Sequence, residues 1–417
     1  MCRMMENRIF PLVVGIVFMM STAVSFAQSR VEEMRRQRNA EIEAMRQGYN
    51  SYVQNARAEY ENYVRKARQE YEDYVKQVRG KWGGDSIVDN TQKKWVEYNE
   101  DFTSRSVVDF ENGTVTVEVL MDENEVKDQQ KVNQKLATAV DKTFSSRATT
   151  NPYRGTVDET KPLTQKPVLD GLVDVASLEK KPSQPTAVQP AGAPTATPQQ
   201  RQEATKKVVQ NASRQTSTVQ GSDGKKRTEV KVTMPLVTDH LSRNAALYKN
   251  IVMKYSQKFS IEPALIYAVI EQESAFDPQA TSWVPAYGLM QLVPTSGGRD
   301  AYRKVTGRDQ IPQRDYLFNP ENNIHLGTAY LRILFDQFRN VADVNCRRLC
   351  VIAAYNTGAG NVNRAFTGDT KFSPAIAKIN QHSYSSLYAY LTTHLSHDEA
   401  RKYVKGVSAR REKYLKN

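Results

Sequence analysis

Glu273 follows an apolar run, Ile266-Tyr267-Ala268-Val269-Ile270. A carboxyl so placed is the chain's best candidate for proton transfer. On a helical wheel at about 100° per residue with Glu273 at the origin, Ile266 falls about 20° away, Val269 about 40° and Ile270 about 60°. Glu273 therefore leaves the helix on its buried face, whereas Glu271 falls on the far side, where water is expected. Burial removes solvation from a carboxylate and raises its pKa. A carboxyl that keeps its proton at neutral pH is what a general acid needs. The plainer reading is a glutamate at a helix end bonded to a neighbour. Glycoside cleavage usually needs two carboxyl groups, and no second acidic residue falls inside the motifs that accompany Glu273. Asp277 precedes Pro278 and reads as a turn former, and Asp300 and Asp309 lie in a polar loop.

Two further clusters follow in order. Gly288-Leu289-Met290-Gln291 comes fifteen residues after Glu273, and Ala353-Ala354-Tyr355-Asn356-Thr357-Gly358-Ala359-Gly360 comes much later. One buried carboxyl, a glycine-tight turn carrying an amide, then a Tyr-Asn pair beside more glycines: this order resembles the lytic transglycosylase family. These enzymes have a goose-type-lysozyme-like fold and cleave peptidoglycan glycan strands. The resemblance implies a single acid/base, Glu273, and a 1,6-anhydro product formed when the sugar's own C6 hydroxyl attacks. It also implies a substrate-binding set. Ser282 matches a serine that faces the site, and Val284 stands where the family often has a second one. Gly288, Met290 and Gln291 match the residues that line the cleft. Tyr355 and Asn356 match the pair at the cleaved bond, and Tyr403 matches the tyrosine that points toward the glutamate. Core packing for Met290 and helix-face aromatics for Tyr355 and Tyr403 are the alternatives. His394, His397 and Asp398 read as solvated residues rather than metal ligands, so no metal or cofactor is expected.

The elements that must hold these residues read as helices over 243–259, 263–276, 286–292, 320–339, 347–355, 359–366 and 398–413. Ser260 offers a cap and Pro263 a first-turn proline for the helix ending at Glu273. Before them, alternation on both sides of Asn112-Gly113 predicts a hairpin of strands 106–111 and 114–119. Val132, Leu136, Val140 and Phe144 predict a helix within 121–146. Strand-like pieces follow at 167–174 and 228–234. Between them, 179–224 is rich in Pro, Ala, Thr, Gln and Ser and is expected to be a disordered insert. Trp95-Val96-Glu97-Tyr98, Thr103-Ser104-Arg105, the Asn-Gly hairpin and Met234-Pro235 resemble the N-terminal domain of the membrane-bound lytic murein transglycosylase C family, over a match expected from residue 82.

Further upstream, 31–80 reads as a charged helix with an 11-residue repeat: Tyr49, Tyr52, Val53, Ala56; Tyr60, Tyr63, Val64, Ala67; Tyr71, Tyr74, Val75, Val78. It is either a solvated helix with a thin aromatic stripe or a weak right-handed coiled coil or spacer. Arg3 and Arg8, the apolar Leu12 to Met20, and Ser25 and Ala27 predict a signal peptide cleaved after Ala27. The fold expected is thus multidomain α+β: signal peptide 1–27, charged helical arm 28–81, small α+β domain 82–239, and a mostly helical lysozyme-like domain 240–417.

Export to the periplasm follows from that leader. No cysteine stands at the end of its apolar core, so outer-membrane association would have to occur without a lipid anchor. In an oxidising compartment, Cys346 and Cys350 form either a bridge or two buried thiols. The 58 basic and 46 acidic residues leave a net charge of +12. That surplus suits a carboxylate-bearing wall, but no nucleic-acid signature accompanies it. The expected partners are glycan strands, with envelope proteins or self-association through 31–80 as further candidates. A lysozyme-type hydrolase and a non-cutting wall-binding scaffold are the rival functions.

Overall fold

The computed structural model describes residues 6–84, 86–148, 164, 166–178, 196–282 and 285–416, with side chains from Ser29 onward except at 49, 52, 53 and 56. Val284 and residues 179–195 of the expected insert lie outside the described residues. The chain divides into two compact units, one ending at Tyr63 and one starting at Val64. The first unit is helical: α1 (Glu6–Trp82) runs through it, and every described side chain from Ser29 to Asn62 is exposed. Pairs such as Arg57–Glu61 at 2.8 Å and four residues apart support the helix locally.

The second unit opens with the last turns of α1. Here the repeat changes role: Tyr74, Val75, Val78 and Trp82 are buried against Val96, Tyr98, Leu120 and Val219 of a sheet. The third block of the repeat is therefore core, not a solvated stripe. The sheet is antiparallel, with strands β1 (Lys94–Tyr98), β2 (Ser104–Asp109), β3 (Thr114–Met121), β4 (Arg214–Gln220) and β5 (Lys226–Pro235) in the order β1-β2-β3-β5-β4. The β2–β3 hairpin closes with Asp109 opposite Thr114, and Gly113 takes φ +65° at the turn. Period-two alternation sends Val115, Val117, Val119 and Val230, Val232, Met234 to the other face. There α2 (Gln129–Ser145) and α3 (Pro198–Asn211) cover them through Leu136, Val140 and Val208. Buried Arg105 ties the layers together, bonding Glu118 and stacking 4.0 Å over Trp82.

The reading of 179–224 as disordered is corrected over its second part. Thr197 and Gln200 form a capping box for α3, and β4 pairs along β5 from Arg214↔Val232 to Gln220↔Lys226. Local capping and a sheet partner order a segment that composition alone marks as coil. The expected strand at 167–174 is instead a turn with one bridge, Val173↔Leu236.

The remainder is helical: α4 (His240–Leu247), α5 (Lys249–Phe259), α6 (Pro263–Ser274), α7 (Gly297–Thr306), α8 (Arg314–Phe318), α9 (Pro320–Gln337), α10 (Val344–Thr357), α11 (Ala359–Thr367), α12 (Phe372–Ile379), α13 (Tyr384–His394) and α14 (Asp398–Leu415). α6 lies at the centre, with Leu265, Ile266, Ala268, Val269 and Ile270 all fully buried. Ser260 does not cap it; that residue ends α5 at φ 52°, and Glu262 takes the cap position. Cys346 and Cys350 on α10 are free, buried thiols, which removes the bridge.

Candidate active site

Residues 286–292 do not form the helix that their apolar run predicts. They make a tight turn in which Tyr287 bridges both Thr281 and Leu292. Gly288 carries φ +75°, and a Cβ there would lie 2.5 Å from Asn323 Nδ2 and from Leu317 O. Only glycine fits that backbone. Asn323, fully buried on α9, pins the turn three ways: Met290 N donates to its Oδ1 at 2.7 Å, and its Nδ2 donates to Tyr287 O at 2.8 Å and Leu317 O at 2.7 Å. Asn323 is a functional residue that the sequence motifs do not single out; its one available signal is a polar residue on the apolar face shared with Ile324, Gly327 and Leu331.

The other wall comes from the end of α6. Ser274 Oγ donates to Leu289 O at 2.8 Å, tying that end to the glycine turn. Ala275 (φ 47°), Phe276 (φ 68°) and Gln291 (φ 44°) all occupy the left-handed region. For non-glycine residues this costs about 1 kcal/mol or more apiece. Unfavourable backbone is thus concentrated on the two turns that flank Glu273.

Glu273 itself is 7% exposed. Burial pushes its carboxyl up to about 8, against the lowering effect of a hydrogen bond from Tyr403. That bond runs from Tyr403 Oη on α14 to Glu273 Oε1 at 2.6 Å. Tyr355, buried on α10, lies close enough for the Glu273 charge to raise its phenol, and its Oη donates to Met290 O at 2.9 Å. Asn356 Nδ2 donates to Glu399 Oε1 at 3.2 Å, and the Glu399 charge also raises Glu273. Glu273, Tyr403, Tyr355, Asn356 and the 288–291 turn therefore converge on one place.

Two expectations need correction there. Met290 does not present its side chain to a cleft: it is fully buried, and its Sδ sits 2.3 Å from where a Cβ on Gly327 would be. What Met290 offers the site is its backbone. Gln291 turns inward, its Nε2 donating to Ala280 O at 2.7 Å and Gly288 O at 3.0 Å, while buried Oε1 has no protein partner. Ser282 accepts from Ala286 N at 3.2 Å at the rim of the same loop.

Asp277 supplies a second buried carboxyl, raised to about 7 by burial. It is occupied with its own turn, accepting from Gln279 N at 2.8 Å. Glu271 contradicts the wheel, for it is 6% exposed rather than facing water. α14 covers that side of α6 and brings Lys413, Arg410 and Tyr414 to its carboxylate. Among the described residues no cluster of three or more His, Cys, Asp or Glu is arranged to hold a metal.

Comparison with known proteins bears on this geometry. The family described as Transglycosylase SLT domain matches residues 250–378. The family described as Membrane-bound lytic murein transglycosylase C, N-terminal domain, matches residues 58–174. Membrane-bound lytic murein transglycosylase C of Actinobacillus pleuropneumoniae serotype 5b (strain L20) is 33% identical over 341 residues, covering 80% of this chain and 83% of that relative. The protein of the same name from Salmonella arizonae is 32% identical over 336 residues, covering 80% and 85%.

The chain belongs to the membrane-bound lytic murein transglycosylase C family. Among solved structures, the 70 kDa soluble lytic transglycosylase of Escherichia coli is 27% identical over 43% of this chain and 26% of its own, with a TM-score of 0.32. The murein transglycosylase C match begins at residue 58, within α1 and ahead of the Trp82 from which it was expected. The last turns of the tyrosine-rich helix therefore belong to the matched region, in keeping with their burial against the sheet.

Proposed function

We propose that this chain is an exported enzyme that cleaves the MurNAc–GlcNAc β-1,4 bond of peptidoglycan and leaves a 1,6-anhydro-MurNAc end. As a member of a lytic murein transglycosylase family it is a peptidoglycan lytic transglycosylase, a lyase. The reading of the reaction rests on one observation above all: a buried carboxyl, raised by burial, that bonds the Tyr403 hydroxyl and, among the described residues, no cation. Protonated Glu273 gives its proton to the leaving GlcNAc oxygen as the C1–O bond breaks. The muramic N-acetyl oxygen bonds to C1 and carries the positive charge. Glu273, now a carboxylate, takes the proton of the C6 hydroxyl, whose oxygen attacks C1 and displaces the acetamido oxygen. The proton is back on Glu273 and no water is consumed. The rim groups Asn356 and Ser282 supply polar contacts for the sugars, while Gln291 braces the turn from within.

A single carboxyl suits this sequence. Asp277 is folded into its turn, and Glu399 is exposed and shared with Asn356. The names of the relatives place them at a membrane. With the Arg3, Arg8 and Leu12–Met20 leader, that supports delivery to the envelope. The test is to digest purified peptidoglycan and weigh the fragments. Anhydro-muropeptides are expected; products heavier by one water would make the enzyme a lysozyme-type hydrolase, and binding without turnover would make it a scaffold.

A further inference from the structure

The chain leaves Glu273 between two cores. Ala275 packs into the core of the sheet, and the next residue, Phe276, packs into the core of the helices. Both hold left-handed backbone, at φ 47° and 68°. Non-glycine residues stay in that region only where their surroundings over-determine it. Part of what determines it is local. Asp277 N donates to Ser274 O at 2.9 Å, and Gln279 N donates to Asp277 Oδ1 at 2.8 Å. Ala280 O then accepts from Gly288 N at 2.9 Å and from Gln291 Nε2 at 2.7 Å, which joins this turn to the glycine turn.

A further bond comes from outside the helical region. Trp95 Nε1, on edge strand β1, donates to Gln279 Oε1 at 3.0 Å. The two residues are 4% and 3% exposed, so water has little access to the bond. Trp95 also belongs to the same apolar cluster as Ala275. The sheet therefore grips the segment after Glu273 at two points, the Ala275 methyl and the Gln279 amide, on either side of Asp277. An indole N–H is a donor only, and its ring is fixed by the strand that carries it. The sheet is also held on α4, where His240 Nε2 lies 2.8 Å from Phe110 O, so its attachment does not depend on Trp95.

We propose that Trp95 is a positioning residue of the transglycosylase reaction: its indole N–H, delivered by β1, holds the turn after α6 in the conformation that presents Glu273 to the bond being cleaved. The inference rests on Glu273 being the acid and base described above. It makes the sheet part of the catalytic apparatus rather than only a carrier for it. A shift of about 1 Å in a reacting group is enough to cost about a hundredfold in rate, so a clamp on the turn is felt in the chemistry.

The test is steady-state cleavage of soluble, uncrosslinked glycan strands by the full chain, comparing wild type, Trp95→Phe, Gln279→Met, the double variant and Val78→Ala. Trp95→Phe keeps an aromatic ring in the core and deletes the donor. It should lower kcat about five- to fiftyfold with KM within about twofold, because a displaced acid weakens the transition state and not ground-state binding. Gln279→Met breaks the bond from the other side and should show the same split. The double variant should be no slower than the slower single one, since both remove one interaction. Val78→Ala weakens the opposite face of the sheet, where Val78 is fully buried; it should lower the melting temperature and leave kcat near wild type. A Trp95→Phe kcat within about twofold of wild type overturns the proposal. So does a Val78→Ala kcat as low as that of Trp95→Phe, which would make the effect a general loss of stability. If Trp95→Phe does not fold, Gln279→Met decides by the same criterion. Glu273→Gln in the same assay separates the two claims. If it is inactive while Trp95→Phe is not slowed, only the role of Trp95 falls; if it is active, the reading of Glu273 falls first.

Discussion

Two carboxylates on α6, two residues apart and buried to the same degree, have opposite fates. Glu271 is 6% exposed and meets Lys413 Nζ at 2.9 Å and Arg410 Nε at 3.4 Å, with the Tyr414 hydroxyl as a further donor. Glu273 is 7% exposed and, among the described residues, meets only the Tyr403 hydroxyl, at 2.6 Å. Both sets of partners come from the same helix, α14. Its last turns neutralise one carboxylate, and its earlier turns leave the other without a bonded cation. Burial alone therefore does not make an acid. A desolvated carboxyl becomes reactive where counter-charge is withheld, and becomes a structural anchor where it is supplied.

That contrast can be broken in a graded way. Glu273→Gln should lower the rate of glycan cleavage by about 10²- to 10⁴-fold with the helical circular dichroism unchanged; a rate near wild type would move the chemistry elsewhere. Tyr403→Phe removes the one bonded donor. It should lower the rate by about ten- to a hundredfold and shift the basic limb upward, because the lost bond favours the carboxylate. Glu271→Gln should do the reverse. Leaving Lys413 and Arg410 without their carboxylate should cost about 1–3 kcal/mol in thermal or denaturant unfolding, with the pH profile of catalysis unmoved.

The smallest effect is also the most diagnostic of sign. The Glu273 carboxyl is raised from 4.5 to about 8 in the folded chain. Its contribution to stability is fully present below pH 4.5 and is lost as pH rises through 8. Glu273→Gln carries no such penalty. It should melt with wild type near pH 4.5 and a few degrees above it by pH 8 to 9. A gap that does not change with pH would mean that Glu273 ionises freely.

Much of this site was legible because it is local. The apolar spacing around Ile266, Val269 and Ile270 puts Glu273 on a buried face, and the glycine turn and Tyr-Asn pair follow at readable distances. Glu271 was misread because a wheel registers one apolar stripe, whereas α6 is covered all round and α14 closes its second side. The 286–292 run was misread as a helix because its apolar residues hide two positive-φ positions, Gly288 and Gln291. Helices α7, α8, α12 and α13 are short, five to eleven residues each, and give a periodicity argument too few turns to register, and β1 was quoted only as a motif. The Trp95–Gln279 bond spans 184 residues and has no local signature at all. Composition also marked as coil the stretch that α3 and β4 order by capping and by pairing with β5.

The most direct measurement is the titration of Glu273 itself in the folded chain, by carbon-13 NMR of labelled carboxyl groups, assigned by difference between wild type and Glu273→Gln. The account predicts one resonance, absent from the variant, with a midpoint near 8. A midpoint in the ordinary glutamate range, about 4 to 5, would mean that the group is already ionised at neutral pH and cannot donate the proton that the reaction needs.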